Sequence, residues 1–166
     1  MTTEFRVEKL RREHPVDGFD CGTAALNIFL QRHALQNQQA NASQTYVALT
    51  GNDLVGYHTL VVGGANYGDA PERISRGLAR HPIPVMLLAR LAVSVQWQGK
   101  GAGSSLLKDA MTRGLAASEI AGVRGFTVNA KNDNARAFYA HFNFVPSPTD
   151  PMHMFLLLKD VRAGLR

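Results

Sequence analysis

Between residues 85 and 116 the chain passes from an apolar run, through three glycines in five positions, into an amphipathic helix. Met86 to Val93 is apolar except for Arg90, the composition of a strand covered on both faces. Gly99, Gly101 and Gly103 then alternate with Lys100 and Ala102. Beyond them Leu106, Leu107, Ala110, Met111 and Leu115 share one helical face, and Lys108, Asp109, Thr112 and Arg113 the other. A strand buried on both sides and a helix with one apolar stripe require a sheet with helices layered on it. Backbone N–H groups at the start of such a helix, with no side chains in the way, form an anion site, and phosphate is the usual guest.

Spacing discriminates among phosphate loops. A nucleoside-triphosphate loop needs Gly-Lys followed directly by Ser or Thr, and here Gly101 follows Lys100. A dinucleotide fingerprint needs a third glycine where this chain has Ser104, and an acidic residue at the end of the next strand, where it has Asn129. Gln96-x-x-Gly99-x-Gly101 after Leu91-Ala92-Val93 instead resembles the acetyl-CoA pyrophosphate loop of the GNAT N-acetyltransferases. The competing reading is an ordinary glycine-rich turn from strand to helix.

The remaining chain supplies one mixed sheet. Glu4 to Leu10 reads as a first strand, and Thr23 to Gln38 as a helix. Leu26, Phe29, Leu30 and Ala34 form its buried stripe, Gln31, Arg32, Gln36 and Gln38 face outward, and Asp20 is its expected cap. Thr45 to Thr50 and Leu54 to Val62, rich in β-branched and aromatic residues, flank Gly51-Asn52-Asp53 as a hairpin, with Gly63-Gly64 ending or bulging its second arm. Residues 66 to 84 carry three prolines and a short basic helical piece. Gly125 to Ala130 is a strand, Asn132 to Ala140 a helix, and Met152 to Leu158 a last strand. The order β-α-β-β-β-α-β-α-β places helices on both faces of a single, mostly antiparallel α/β (α+β) sheet, and residues 1–166 read as one domain.

Asn132-x-x-Ala135-x-x-x-Tyr139-x-x-x-Asn143-Phe144 is similar to a second GNAT pattern, with Asn143 where the family usually has glycine. Asn is the next most tolerant residue for a left-handed helix exit. The resemblance implies a GNAT fold and acetyl-CoA as cofactor. Leu91, Ala92 and Val93 would then hold pantetheine, and Gln98, Gly99, Lys100, Gly101, Ala102, Gly103 and Ser104 the pyrophosphate. Asn132 would bond the pantetheine arm or cap the helix, and Tyr139 would serve as general acid beside the cofactor sulfur. A phenol with a reference pKa near 10 keeps its proton at neutral pH. The alternative for Tyr139 is half-buried packing beside Phe138.

A general base is harder to find. Ser94 follows Leu91-Ala92-Val93 where relatives often have Asp, and His58 on the hairpin is the best residue by type, with a structural role as its alternative. Without a base, an α-amine (pKa about 7.7–8.0) is a better acceptor than a lysine (about 10.4), because part of it is already neutral.

Segments over nearly the whole chain, among them Phe19-Asp20-Cys21-Gly22, His81-Pro82-Ile83-Pro84 and Gln98-Gly99-Lys100-Gly101, resemble the acetyltransferase toxins of bacterial type II toxin–antitoxin modules. That resemblance implies acetylation of the α-amine of aminoacyl-tRNA, arrest of translation, a homodimer and a small ribbon-helix-helix antitoxin. The formal charge of +5 and pI near 9.7 suit a polyanionic substrate. Arg73, Arg76 and Arg80 at i, i+3 and i+7 read as one face of a short helix that could hold tRNA phosphates, or as a solvated face. Arg90, in a buried strand, is expected to meet a carboxylate, a carbonyl or a substrate phosphate.

Two other functions remain open: a non-toxic acetyltransferase of small amines or protein N-termini, and an acetyl-CoA-binding regulatory module without turnover. The single Cys21 excludes an intramolecular disulfide and reads as a buried thiol. No stretch approaches the roughly 20 apolar residues that span a bilayer, and no metal-ligand spacing stands out. A cytoplasmic protein is expected.

Overall fold

The computed structural model describes residues 5–164. Its strands are β1 (Arg6–Lys9), β2 (Gln44–Thr50), β3 (Asp53–Ala65), β4 (Ile83–Val93), β5 (Gly125–Asn129), β6 (Val145–Pro146) and β7 (His153–Leu157). They form one seven-stranded sheet in the order β1-β2-β3-β4-β5-β7-β6. The pairs β1–β2, β2–β3, β5–β7 and β6–β7 are antiparallel and β4–β5 is parallel, the expected mixed sheet. The helices are α1 (Ala24–Ile28), α2 (Ala34–Gln39), α3 (Glu72–Ser75), α4 (Ala102–Ser118), α5 (Asp133–His141) and α6 (Leu158–Gly164). The chain divides into two compact units. The first takes the described residues up to Val61 together with Ala89–Ala110, and the second takes Val62–Leu88 together with the described residues from Met111.

In the first unit, alternation along β2 sends Val47 and Leu49 to one side and Ala48 to the other. Val47 and Leu49 pack with Phe29, Leu30, Ala34, Tyr57 and Ala92, whereas Ala48 packs with Val55, Ala102 and Leu106 from the start of α4. Gly56 in β3 answers to a close backbone approach, since a Cβ there would lie 2.5 Å from the carbonyl oxygen of Ala92.

The expected first helix is present but interrupted. A π-helical turn, Phe29–His33, separates α1 from α2. Asp20 does not cap it: Oδ1 accepts from Gly22 N and Asn27 Nδ2, closing a turn ahead of the helix, and Thr23 at the N-cap makes no side-chain cap bond. Two of the outward glutamines also turn back. Gln31 donates to the carbonyls of Asp17 and Phe19, and Gln38 bridges the Leu10 carbonyl and the Thr45 amide.

In the second unit Gly125–Asn129 pairs with His153–Leu157 in unbroken register. Ala65, Ala70, Ile74, Ile83, Val85, Phe155 and Leu157 make one core. Gly63-Gly64 does not end the second hairpin arm, because β3 continues through both glycines to Ala65. Asn143 takes φ +73, the left-handed exit read from the sequence.

The largest departure is the basic helix. Glu72–Ser75 is a single turn, after which Arg76 is extended and Gly77 has φ +80. Arg73, Arg76 and Arg80 therefore share no helical face. Long-range bonds hold this segment. Arg73 forks onto the Asp160 carboxylate, Arg124 donates to the carbonyls of Ile74 and Arg76, and Ser147 and Thr149 bond the backbone and carboxylate of Asp69.

Candidate active site

The first unit carries the glycine loop. The Leu91–Val93 end of β4 is anchored by Leu91 and Val93, which pack against the Ala48–Val55–Ala102–Leu106 cluster, while the Ser94 amide bonds the Val55 carbonyl at 2.8 Å. A 3-10 turn, Val95–Trp97, leads into the loop. Gly99 and Gly101 have φ of +78 and +87, a region costly for any residue with a Cβ, and no atom lies within 4 Å of where either Cβ would sit. Ala102 is 1% exposed, and its methyl is turned into the core. The first helical bond of α4 runs from Ser105 N to Gly101 O at 3.1 Å, which leaves the amides of Ala102, Gly103 and Ser104 in the orphan first turn. Two open positive-φ glycines before a 17-residue helix make a cradle that a pyrophosphate fits. Lys100 is exposed, its Nζ 5.1 Å from the Trp97 ring centre.

Gln98 does something the motif did not reveal. Its amide donates to the carbonyls of Cys21 and Val93, both at 3.0 Å, tying the loop to the strand end and to the turn before α1. These two bonds hold the entry of the loop in place. Cys21 is buried, with Sγ 3.6 Å from the Thr23 carbonyl.

Arg90 lies against an aromatic face rather than a carboxylate or carbonyl of the described residues. Its guanidinium lies 3.6 Å from the Phe29 ring centre, and Phe29 stacks in turn on Tyr57. His58, the residue considered as base, is fully buried; Nε2 is 2.8 Å from Asp109 Oδ2, and its ring stacks on Tyr46. Asp109 is therefore turned inward, although the periodicity of α4 put it on the solvent face. The imidazole is enclosed, whereas the Asp109 side chain keeps 22% of its surface exposed. No local pattern marks a contact spanning 51 residues.

The second unit carries α5. Asn132 is its cap: Oδ1 accepts from Ala135 N at 2.8 Å, with φ −162 and ψ 178 placing the residue outside the helix. Tyr139, seven residues on, is 8% exposed and packs between Phe138 and Phe144, with ring centres 5.2 and 5.4 Å away. Burial pushes its hydroxyl up to about 12, so it keeps its proton throughout the physiological range. Arg73 is paired with Asp160, Arg76 with Glu72 at 3.4 Å, and Arg80 lies over the Tyr67 ring at 5.3 Å. Each of the three meets a different partner.

Comparison with known proteins identifies the family. Residues 41–146 match the acetyltransferase (GNAT) domain. The chain is 43% identical over 148 residues to a tRNA-acetylating toxin of Mycobacterium tuberculosis (strain ATCC 25618 / H37Rv), covering 89% of both chains. Among solved structures it is similar to AtaT complexed with acetyl-methionyl-tRNAfMet, with TM-score 0.89, 26% identity, and coverage of 98% of this chain and 100% of that one. It is also similar to a mutant AtaT toxin bound to the C-terminus of the antitoxin AtaR and acetyl-CoA, with TM-score 0.80, 27% identity and coverage of 96% and 97%. A glycine cradle behind an apolar strand, a capped helix bearing a buried tyrosine, and these matches lead to one conclusion: the chain belongs to the GNAT acetyltransferase family.

Proposed function

We propose that the chain acts as one acetyl-CoA-dependent N-acetyltransferase domain, a type II toxin that acetylates the α-amine of aminoacyl-tRNA and so blocks translation. The observation that carries this reading is the 43% identity to the tRNA-acetylating toxin over 89% of each chain. The open cradle at Gly99 and Gly101 supports it independently. When bound, acetyl-CoA supplies a thioester-linked acetyl group. Backbone amides of residues 99–104 would hold the pyrophosphate, with the Lys100 charge beside them. Backbone N–H groups of the Leu91–Val93 segment would orient the pantetheine arm and offer donors to the acetyl carbonyl. Gln98 fixes the loop through its two carbonyl contacts, and Asn132 fixes the start of α5. Tyr139 is the general acid: its Oη holds a proton that burial keeps from ionising.

No base is assigned. His58 is fully buried against Asp109, and an α-amine near 7.7–8.0 is partly neutral without help. Of the arginines, Arg76 and Arg80 would meet tRNA phosphates, Arg73 being held by the Asp160 carboxylate, and Arg90 would act by holding Phe29 and the π-helical turn. A homodimer, a ribbon-helix-helix antitoxin partner and a cytoplasmic site of action complete the proposal. Among the described residues no helix is long and apolar enough to cross a membrane.

The test is incubation with labelled acetyl-CoA and bulk charged tRNA, followed by identification of the modified aminoacyl group. Label on the α-amine of an aminoacyl-tRNA is expected. Label only on free amines or peptides, or acetyl-CoA binding without turnover, would refute the assignment.

A further inference from the structure

We propose that a basic groove at the start of β5 docks the sugar–phosphate backbone of the RNA substrate, with Arg124 and Lys159 as its working cations. The inference rests on the reading that charged tRNA is the acceptor. The groove encloses about 410 Å³ within the second unit; Arg73, Arg76, Arg124 and Lys159 line it, beside Leu157 and Leu158.

These four cations are not equivalent. Arg73 is neutralised by the forked Asp160 carboxylate. Arg76 faces Glu72 at 3.4 Å with both side chains largely exposed, a contact weak enough for a phosphate to displace. Arg124 differs from both. Its Nε donates to the Ile74 carbonyl at 2.9 Å and its Nη2 to the Arg76 carbonyl at 3.2 Å. Both acceptors are neutral, so they fix the direction of the guanidinium without cancelling its charge. Lys159 is exposed on α6, where its long stem can follow a backbone. The groove therefore combines one aimed, half-buried guanidinium with two exposed cations. That arrangement suits a regular polyanion read by its backbone rather than by its bases.

Position also suits this role. Arg124 directly precedes the first residue of β5, and the Asn132 cap lies beyond its last, after Ala130 and Lys131. Five residues at about 3.3 Å each separate the two ends by roughly 17 Å. RNA held at the entry to β5 leaves the start of α5 clear. An acidic peptide is the competing occupant, and the experiment separates the two.

Full-length wild type, Lys159→Glu and Arg124→Gln are compared by fluorescence anisotropy with uncharged tRNA across a salt series, and by acetyl transfer to charged tRNA. Lys159 is exposed, so its exchange tests the groove without disturbing the core. Each variant should raise the tRNA dissociation constant at least tenfold at low salt. The log–log salt slope should fall by about 0.7–0.9 for each phosphate that the variant no longer neutralises. The KM for charged tRNA should rise more than kcat falls. An unchanged tRNA affinity and slope in Lys159→Glu, with wild type still acetylating charged tRNA, would overturn the groove alone. So would a loss of binding to a poly-glutamate probe with tRNA binding intact. Wild type that acetylates no charged tRNA would overturn the functional reading beneath it, and the RNA role with it.

Discussion

Gly101→Ala separates the two demands that the loop places on its glycines. The backbone at Gly101 has φ +87, and an alanine held there costs about 1–2 kcal/mol of stability. The new methyl clashes with nothing in the protein, since no atom lies within 4 Å of its position. It fills the space in which a pyrophosphate would approach the backbone. Displacing one charge-assisted N–H bond costs about 1.5–3 kcal/mol. At 1.4 kcal/mol per decade, acetyl-CoA affinity should fall roughly tenfold to a hundredfold. Gly77→Ala is the control, because Gly77 has φ +80 and the same empty surroundings but lies outside the loop. Urea melts should show similar losses of stability for both variants. Calorimetric titration with acetyl-CoA should show weakened binding for Gly101→Ala only. Equal acetyl-CoA affinities in the two variants would refute the cradle.

Other expectations follow from single contacts. Tyr139→Phe keeps the ring between Phe138 and Phe144, so the fold and acetyl-CoA affinity should persist while kcat and growth arrest on expression are lost; a fully toxic variant would remove Tyr139 as the acid. Because burial raises Tyr139 from 10 to about 12, the native state holds its proton more tightly than the unfolded chain. That share of stability is intact below pH 10 and should decline as pH rises from 10 through 12, a decline that Tyr139→Phe should lessen in pH-dependent melts. Glu8 shows the opposite sign. Hydrogen bonds from His14 first and Arg11 second lower it from 4.5 to about 2, so its contribution is present above pH 4.5 and lost as pH falls through 2. Glu8→Gln should flatten acid unfolding over that window. Asp109→Ala takes away the carboxylate that meets buried His58 and should cost about 1–3 kcal/mol in urea melts; a neutral result would mean that the pair adds no stability.

The sequence made local periodicities and turn chemistry legible. The glycine spacing located the cradle, the Asn132 cap and left-handed Asn143 marked both ends of α5, and the hairpin turn fell at Gly51 and Asn52. Readings that rested on one face of an isolated helix did less well. Arg73, Arg76 and Arg80 keep the right spacing, but Arg76 is extended and Gly77 turns left-handed, so the helix is one turn long. Asp109 sits at a polar position of α4, yet its partner lies 51 residues away. Arg73 finds Asp160 across 87 residues, on a helix that the apolar end of the last strand concealed. The two-residue β6 contains a proline and shows no alternation, so nothing local marks it as a strand. Arg124 had no local signal at all, because its acceptors are backbone carbonyls whose identity leaves no trace in composition.

The Gln98 amide has a thermodynamic consequence for how the loop is occupied. Its two bonds to the carbonyls of Cys21 and Val93 are already made before any ligand arrives, and the Val95 amide is held on Asp20 at 2.9 Å. A loop pinned at its entry loses little conformational entropy when an anion settles into it, so more of the contact enthalpy survives as affinity. Amides around Cys21 to Gln98 should then exchange hydrogen at nearly the same rate with and without acetyl-CoA. Gln98→Ala should turn that static rim into one that orders only on binding, with a more unfavourable binding entropy and a slower association rate.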